Sequence, residues 1–518
     1  MSAVVTDQFR IDNANNFIDS VLNTSNSYYV FLGLPNPISA GFGRTTTGWP
    51  SNPIDNFDYQ THYKDTMMFG KKINSTNIRR VVKKNTWVTN TRYDMYRHDY
   101  NINFEAPNSS TSNLYRSKYY VINSDFQVYI CIDNGSTGKS GTTSAKGEVS
   151  SIEPNFTDVE PVTLSDGYTW KYLYTVSPSD IIKFDSIEYM VLPNNWSTST
   201  DAQIKNIRNA GNSDINKNQI KKVYIEDGGS SYSGPQTQTC NILGDGEEAK
   251  VSVTVDRSGQ ITSTKVVSGG YGYTYGIVDL SPIQTGQSGL GKLIPIIPPS
   301  KGHGYDLYKE LGADKVLIYA RFDDSTKDYP VDTSFAQVGI LKNPLKNSSS
   351  DLHTANEFSS LDSFKISEEL DVNKVHVGVK ITQGSDSNIA RGYVASYDED
   401  TKIVKYFQDR SLFYANGQDQ SDNIEVSSLS KVLKISSSGG NITFKYPSGD
   451  QVKALDTTLS GITTTSNNKI VNLGVSYTNG VAEPEINKKT GEIIYISNRT
   501  TVKRDLRQKE DVKIVLEF

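Results

Sequence analysis

Asp166-Gly-Tyr-Thr-Trp-Lys-Tyr-Leu-Tyr174 is the stretch on which the fold turns. Asp166-Gly167 has the chemistry of a turn, and a strand follows from Tyr168 to Val176 until Ser177-Pro178 ends it. Trp170, Tyr172 and Tyr174 recur with period two, so a strand sets them on one face, and that face is expected in a core. The same pattern extends backward to Lys118–Ile122 and Phe126–Ile132, where aromatic runs alternate with Asn/Ser turns, and to Tyr28–Leu34, stopped by Pro35 and Pro37. Forward, it recurs at Lys315–Phe322, Phe335–Leu341, the hairpin Tyr393–Tyr397 and Lys402–Phe407, Lys431–Ile435 and Ile442–Tyr446. Gly491–Ile496 and Val512–Phe518 read as the closing strands, and Val375, Val377, Val379 and Ile381 as one half-buried strand. Helices are expected at Asp12–Leu22 with Asp12 as N-cap, around Tyr63–Met68, at Gln203–Arg208, and as one turn within Gly304–Gly312. The fold class is mainly β with a few short helices, in a multi-domain β-sandwich or barrel architecture with inserted β modules.

Composition agrees. The 31 tyrosines outnumber every other aromatic, and Thr, Asn and Gly supply strands and the turns between them. With 53 basic and 58 acidic residues the net charge is −5, which argues against a general electrostatic grip on nucleic acid. Apolar runs such as Leu293–Pro298 are far below the roughly 18 residues of a membrane span, and MSAVVTDQFR lacks the features of a signal peptide. Two cysteines, Cys131 and Cys240, cannot form a disulfide framework or a four-thiolate zinc site. A soluble protein made in a reducing cytoplasm is expected.

An internal repeat lies near the middle. Val223–Tyr232 reads V-Y-I-E-D-G-G-S-S-Y and Thr264–Tyr273 reads T-K-V-V-S-G-G-Y-G-Y, so Gly228, Gly229 and Tyr232 match Gly269, Gly270 and Tyr273. The glycine pairs are expected in tight turns with positive φ, each covered by the tyrosine that follows. A repeat this short must bury its face against its twin or a neighbour. The parts of the chain are then 1–217, 218–300 (the repeat module), 301–346, 347–484 (a small β-barrel or sandwich plus linker) and 485–518. Asn209–Asn218 is the polar boundary, and Asn347–Ser350 and Asp351–Ser363 are linker-like.

Catalytic and metal-binding patterns are weak. Gly135-Ser-Thr-Gly-Lys-Ser140 has a P-loop flavour, but the spacing demands Gly where Asp133 stands, and the segment is read as a flexible hairpin tip. His62, His98, His303, His353 and His376 are scattered, with no H-E-x-x-H. Gly286-Gln-Ser-Gly has the wrong register for a nucleophile elbow, and the Gly-x-Gly pieces at Gly41, Gly270 and Gly302 lack the third dinucleotide-binding glycine. Asp398 and Asp400 read as turn formers rather than a glycan-cleaving or Ca²⁺-binding pair. No enzyme, cofactor or metal is expected.

Several stretches, in order along the chain, resemble one family: the baseplate wedge subunit of T-even-type contractile-tailed bacteriophages, the product of their gene 8. They are Thr6-Asp-Gln-Phe-Arg10 with the helix and the strand Tyr28–Leu34 that follow it, Asn90-Thr-Arg-Tyr-Asp94, Val128-Tyr-Ile-Cys-Ile-Asp133, Asp166–Tyr174, Glu188-Tyr-Met-Val-Leu-Pro193, Phe335-Ala-Gln-Val-Gly-Ile-Leu-Lys-Asn-Pro-Leu345, Gly491-Glu-Ile-Ile-Tyr-Ile-Ser-Asn-Arg499 and the terminal Glu510–Phe518. Tyr93-Asp-Met-Tyr-Arg-His-Asp99 and Ser177-Pro-Ser-Asp-Ile-Ile-Lys-Phe184 are similar to the longer form in phages of cyanobacteria. The motif residues are Arg92, Tyr93, Asp94, Asp166, Gly167, Tyr168, Trp170, Tyr172, Asn343, Pro344, Asn498 and Arg499. The resemblance covers about Met1–Asn209, Lys301–Leu345 and Glu485–Phe518, leaving the repeat module and much of Asn347–Pro484 as insertions. It implies a structural protein of the virion's tail baseplate, assembled in the host cytoplasm. It also implies a homodimer that links neighbouring wedge proteins during assembly and host-triggered rearrangement, with no nucleic-acid partner and no membrane insertion. The alternative is a tail fibre or adhesin for host recognition, with the Tyr-rich module binding glycan rather than acting as a spacer.

Overall fold

The computed structural model describes residues 3–34, 52–139, 141–209, 218–284, 289, 291–323, 334–385, 389–408, 433–503 and 508–518. Pro35, Pro37, the Gly41 piece, Ser140, Gly286-Gln-Ser, residues 210–217 of the boundary, and Lys431 lie outside the described residues. The chain is mostly β, with short antiparallel sheets and five α-helices among the described residues. Two compact units form: Met1–Ile18, Arg79–Leu317 and Val515–Phe518 make one, and Asp19–Ile78 with Ile318–Ile514 the other.

In the first unit, Thr169–Thr175 lies between Gln127–Asp133 and Val162–Thr163, with Tyr120–Ile122 beyond Gln127–Asp133. Cys131 faces Trp170 and Val128 faces Tyr174 across the central ladder. Both faces of Thr169–Thr175 are buried, because Lys171 and Leu173 are as enclosed as the aromatics; the expectation of one core face was too narrow. Ser177 does not merely end the strand. Its hydroxyl caps the Pro178–Phe184 helix by accepting from Asp180 N, and Pro178 occupies the first turn, where no N–H is needed.

Residues 218–297 enclose a hydrophobic cluster of their own, built on Cys240, Val251, Val253 and Ile261. Ile261–Tyr271, Glu247–Val255, Gln236–Gly244 and Gly276–Val278 form its sheet in that order, with Lys292–Pro295 paired to Val223–Asp227 beside it. In the first glycine pair Gly229 has φ 64° and the Tyr232 ring lies over it, as expected. In the second, Gly270 also takes a positive φ, 56°, but no separate turn forms. Gly269 and Gly270 sit inside the Ile261–Tyr271 strand, where a Cβ at Gly269 would meet Ile220 O at 2.4 Å and one at Gly270 would meet Glu247 O at 2.3 Å. Glycine is needed there for close backbone approach, and Tyr273 covers Gly246 instead.

In the second unit, Tyr28–Gly33 is buried throughout and pairs with Met67–Lys72 on one side and Ser334–Lys342 on the other. Glu357–Ser359 and Glu492–Lys503 complete the five-stranded sheet. A seven-stranded sheet encloses a second cluster around Phe364, Ile381, Val394, Val404 and Phe444, and the hairpin Gly461–Ser466 and Lys469–Tyr477 turns on Asn467-Asn468, both at positive φ.

Several expected elements are corrected. The first helix runs Asp7–Leu22, not from Asp12, because Thr6 Oγ1 accepts from Phe9 N while Asp12 accepts from Gln8 Nε2 one turn in. The second is Phe57–Thr66, capped by Asn56, and Met67 already begins a strand. Residues 351–363 are not linker: Glu357–Ser359 and the start of Asp362–Lys365 are strands, with Phe358 and Leu361 buried. The strand expected from Val375 begins only at Lys380, because Gly378 takes φ 93°.

Candidate functional site

The motif residues gather into intramolecular junctions. In the first unit the turn at Asp166-Gly167 is fixed by the carboxylate, whose Oδ1 accepts from Tyr168 N (3.2 Å) and whose Oδ2 accepts from Ser151 N (3.0 Å) and Ile152 N (3.1 Å). Gly167 takes φ 88°, which a side chain would resist. Tyr168 OH then donates to Glu148 O (2.9 Å) and accepts from Tyr93 N (3.0 Å). The Tyr168 and Trp170 rings stack at 5.4 Å, and Tyr93 meets Trp170 edge-on at 5.7 Å. Burial raises both tyrosine phenols above their usual range. Asp94 is fully buried and caps a loop, accepting from Asn108 N (2.8 Å) and the Ser109 hydroxyl. Arg92 Nε donates to Gly147 O, and Tyr172 OH shares a hydrogen with Thr175 Oγ1.

In the second unit Asn343, at φ 53°, accepts from Ser27 N (2.8 Å) and donates to Asn26 Oδ1 (3.1 Å). Pro344 O accepts from His353 N, and Asn498 Oδ1 accepts from Gln337 Nε2 (2.7 Å). Arg499 is exposed, as Arg92 is, but unlike Arg92 it makes no ion pair or hydrogen bond to a described residue. Two motif groups therefore meet in each unit: 90–94 with 166–174, and 335–345 with 491–499.

Sequence reading missed a third junction. Arg97 lies between the rings of Phe104 (4.1 Å) and Tyr224 (4.0 Å) and forks onto Asp99 at 2.8 and 2.7 Å. Burial pushes the Asp99 carboxyl up, but the hydrogen bonds and charge of Arg97 outweigh it and hold it below the usual carboxylate range. Tyr224 belongs to the repeat module, so this clamp ties the module to residues 97–104. Further ties are Ile297 N to His98 Nδ1 (3.1 Å), the Lys222–Asp133 ion pair, and Tyr224 OH to Gly138 O (2.8 Å) with Gly138 N to Ile225 O (2.8 Å). The 135–139 segment is thus a docking element, not the flexible tip its Gly/Ser content suggested. No local pattern could have revealed the clamp, because Arg97 and Tyr224 are distant in the chain.

The carboxylates of these junctions serve as backbone caps and ion-pair partners. Asp398 likewise caps its own turn by accepting from Asp400 N. Among the described residues no group of three or more His, Cys, Asp or Glu is placed to hold a metal ion, and no helix is long and apolar enough to cross a membrane. Cys131 and Cys240 are buried thiols, pushed up by desolvation. What fold and junctions define is a β-rich polypeptide whose distinguishing residues hold its own segments together. No family model matches the chain, and no curated protein matches it.

Proposed function

We propose that the chain is a structural, non-catalytic subunit of a phage tail baseplate wedge of the T-even type. It works as a homodimer that links neighbouring wedge proteins in the virion and is assembled in the host cytoplasm. The observation that supports this reading is that collinear stretches resembling that family are also spatial partners within each unit: Tyr93 on Trp170 in one, Gln337 on Asn498 in the other. Residues that specify a fold in this way fit a scaffold, whose work is done by surfaces. The repeat module, clamped at Arg97, would then extend the reach of the subunit without free swivelling.

Light scattering during size exclusion tests it. Two chains of 57.4 kDa give 114.8 kDa, the expected result. Three give 172.2 kDa, which would replace the wedge reading with a trimeric fibre or adhesin.

A further inference from the structure

Thr401 stands on the turn that joins the strands Ala390–Asp398 and Ile403–Phe407 of the seven-stranded sheet, and it is 3% exposed. Its Oγ1 is enclosed and has no hydrogen-bond partner. Ser396, on the first of these strands, is 5% exposed, and its hydroxyl bonds no described residue either. The register of the two strands shifts between Val394 and Ser396, an irregularity of the kind that re-aims a side chain. Both Thr401 and Ser396 line one cavity of about 20 Å³. Leu473 and Tyr477 of the Lys469–Tyr477 strand supply part of its wall, and the Tyr477 hydroxyl is already engaged with Ser363 Oγ at 2.8 Å.

A buried hydroxyl without a partner is costly, and native folds leave few of them. Here two border the same space and do not bond each other, so a third group is needed between them. The cavity sets its size: one water requires about 10–15 Å³ of such space, and an organic ligand far more. Chemistry sets its kind, because a water can donate to or accept from either hydroxyl. No group of three or more His, Cys, Asp or Glu among the described residues is placed to hold a metal ion. We infer that the cavity binds a single structural water bridging Thr401 Oγ1 and Ser396 Oγ. The hairpin of Gly461–Ser466 and Lys469–Tyr477 forms a separate two-stranded sheet, and Ile403 packs in one apolar cluster with its Leu473 and Tyr477. The water is the polar half of that joint between hairpin and seven-stranded sheet. This site does not depend on the wedge reading.

A crystal structure of the full chain tests the site directly, and hydrogen exchange on Thr401→Val and Thr401→Ser tests the joint. In the wild type, one density peak within about 2.5–3.0 Å of both hydroxyl oxygens is expected. Valine keeps the shape of threonine and loses the hydroxyl, so the amides of residues 473–477 should exchange about tenfold faster. Serine keeps the hydroxyl and should stay close to the wild type. If Thr401 Oγ1 holds nothing, valine removes an unpaired group, and exchange slows or is unchanged. That result overturns the proposal, as does serine exchanging as fast as valine. Wild-type density with no peak at the site, a direct bond between the two hydroxyls, or a metal ion ringed by oxygens overturns it as well.

Discussion

Lys171 sits within the most distinctive motif, is 1% exposed, and donates from Nζ to Val159 O at 2.7 Å. Burial lowers its pKa from 10.5 to about 8. That gap is worth about 3 kcal/mol of difference between the charged and neutral forms. The unfolded chain keeps the proton up to 10.5 while the folded one releases it near 8, so the unfolded state binds more protons in that window. The stability due to this site therefore rises from about pH 8 to 10.5 and is flat below. Lys171→Met removes the titration and keeps the apolar stem. At pH 7 the variant sheds a desolvated charge but leaves Val159 O without its donor, a loss of about 1.5–3 kcal/mol, so the two proteins should be close. The pH dependence separates them. Urea unfolding, followed by the fluorescence of Trp87, Trp170 and Trp196, all in the first unit, should show the wild type gaining about 3 kcal/mol on the variant between pH 7 and 10.5. A difference that does not move with pH would refute the reasoning.

Arg97→Ala removes both the ring sandwich and the partner of Asp99; a loss of about 3–5 kcal/mol is expected in chemical unfolding, with faster hydrogen exchange in Val223–Asp227, and Arg97→Lys should fall between because it keeps charge without the fork. Gly339→Ala would place a Cβ 2.3 Å from the Phe31 ring and 2.7 Å from Tyr495 O, so a thermal unfolding cost of at least about 2 kcal/mol is expected; a neutral result would mean the sheet is looser than described. His98 accepts from Ile297 N and its pKa lies below 6.5 through burial, so stability present above 6.5 is lost as pH falls through the folded value. Wild type should lose more melting temperature than His98→Gln between pH 7 and 5, and parallel curves would contradict this.

Strands were legible in the sequence where the signal is local. Period-two aromatics at Trp170, Tyr172 and Tyr174 need no knowledge of the partner strand, and Asp166-Gly167 announces its own turn. Failures came where a polar residue is buried by a distant one. Residues 351–363 read as linker because Ser359, Ser360, Asp362 and Ser363 look solvated. In the fold Ser360 Oγ bonds Met68 O, Asp362 pairs with Lys434, and Ser363 meets Tyr477 OH. Lys171 lies off the aromatic face that the period-two pattern picks out, so its burial had no local signal, and Arg97 gave no sign of its rings. The first helix shows a finer version: an acidic residue before an apolar stripe is a reasonable cap, yet the hydroxyl of Thr6 took the free N–H one turn earlier.

The candidate site divides along the same line. The motif residues read as marks of the fold, but which of them touch could not be read from order alone. Tyr93 with Tyr168, and Gln337 with Asn498, are pairings of positions that composition and spacing leave independent. Arg499 is the exception, since it is exposed and makes no hydrogen bond or ion pair to a described residue. The buried motif residues are therefore where substitutions should cost folding, and an exposed arginine without a described partner is where a substitution should leave folding unchanged.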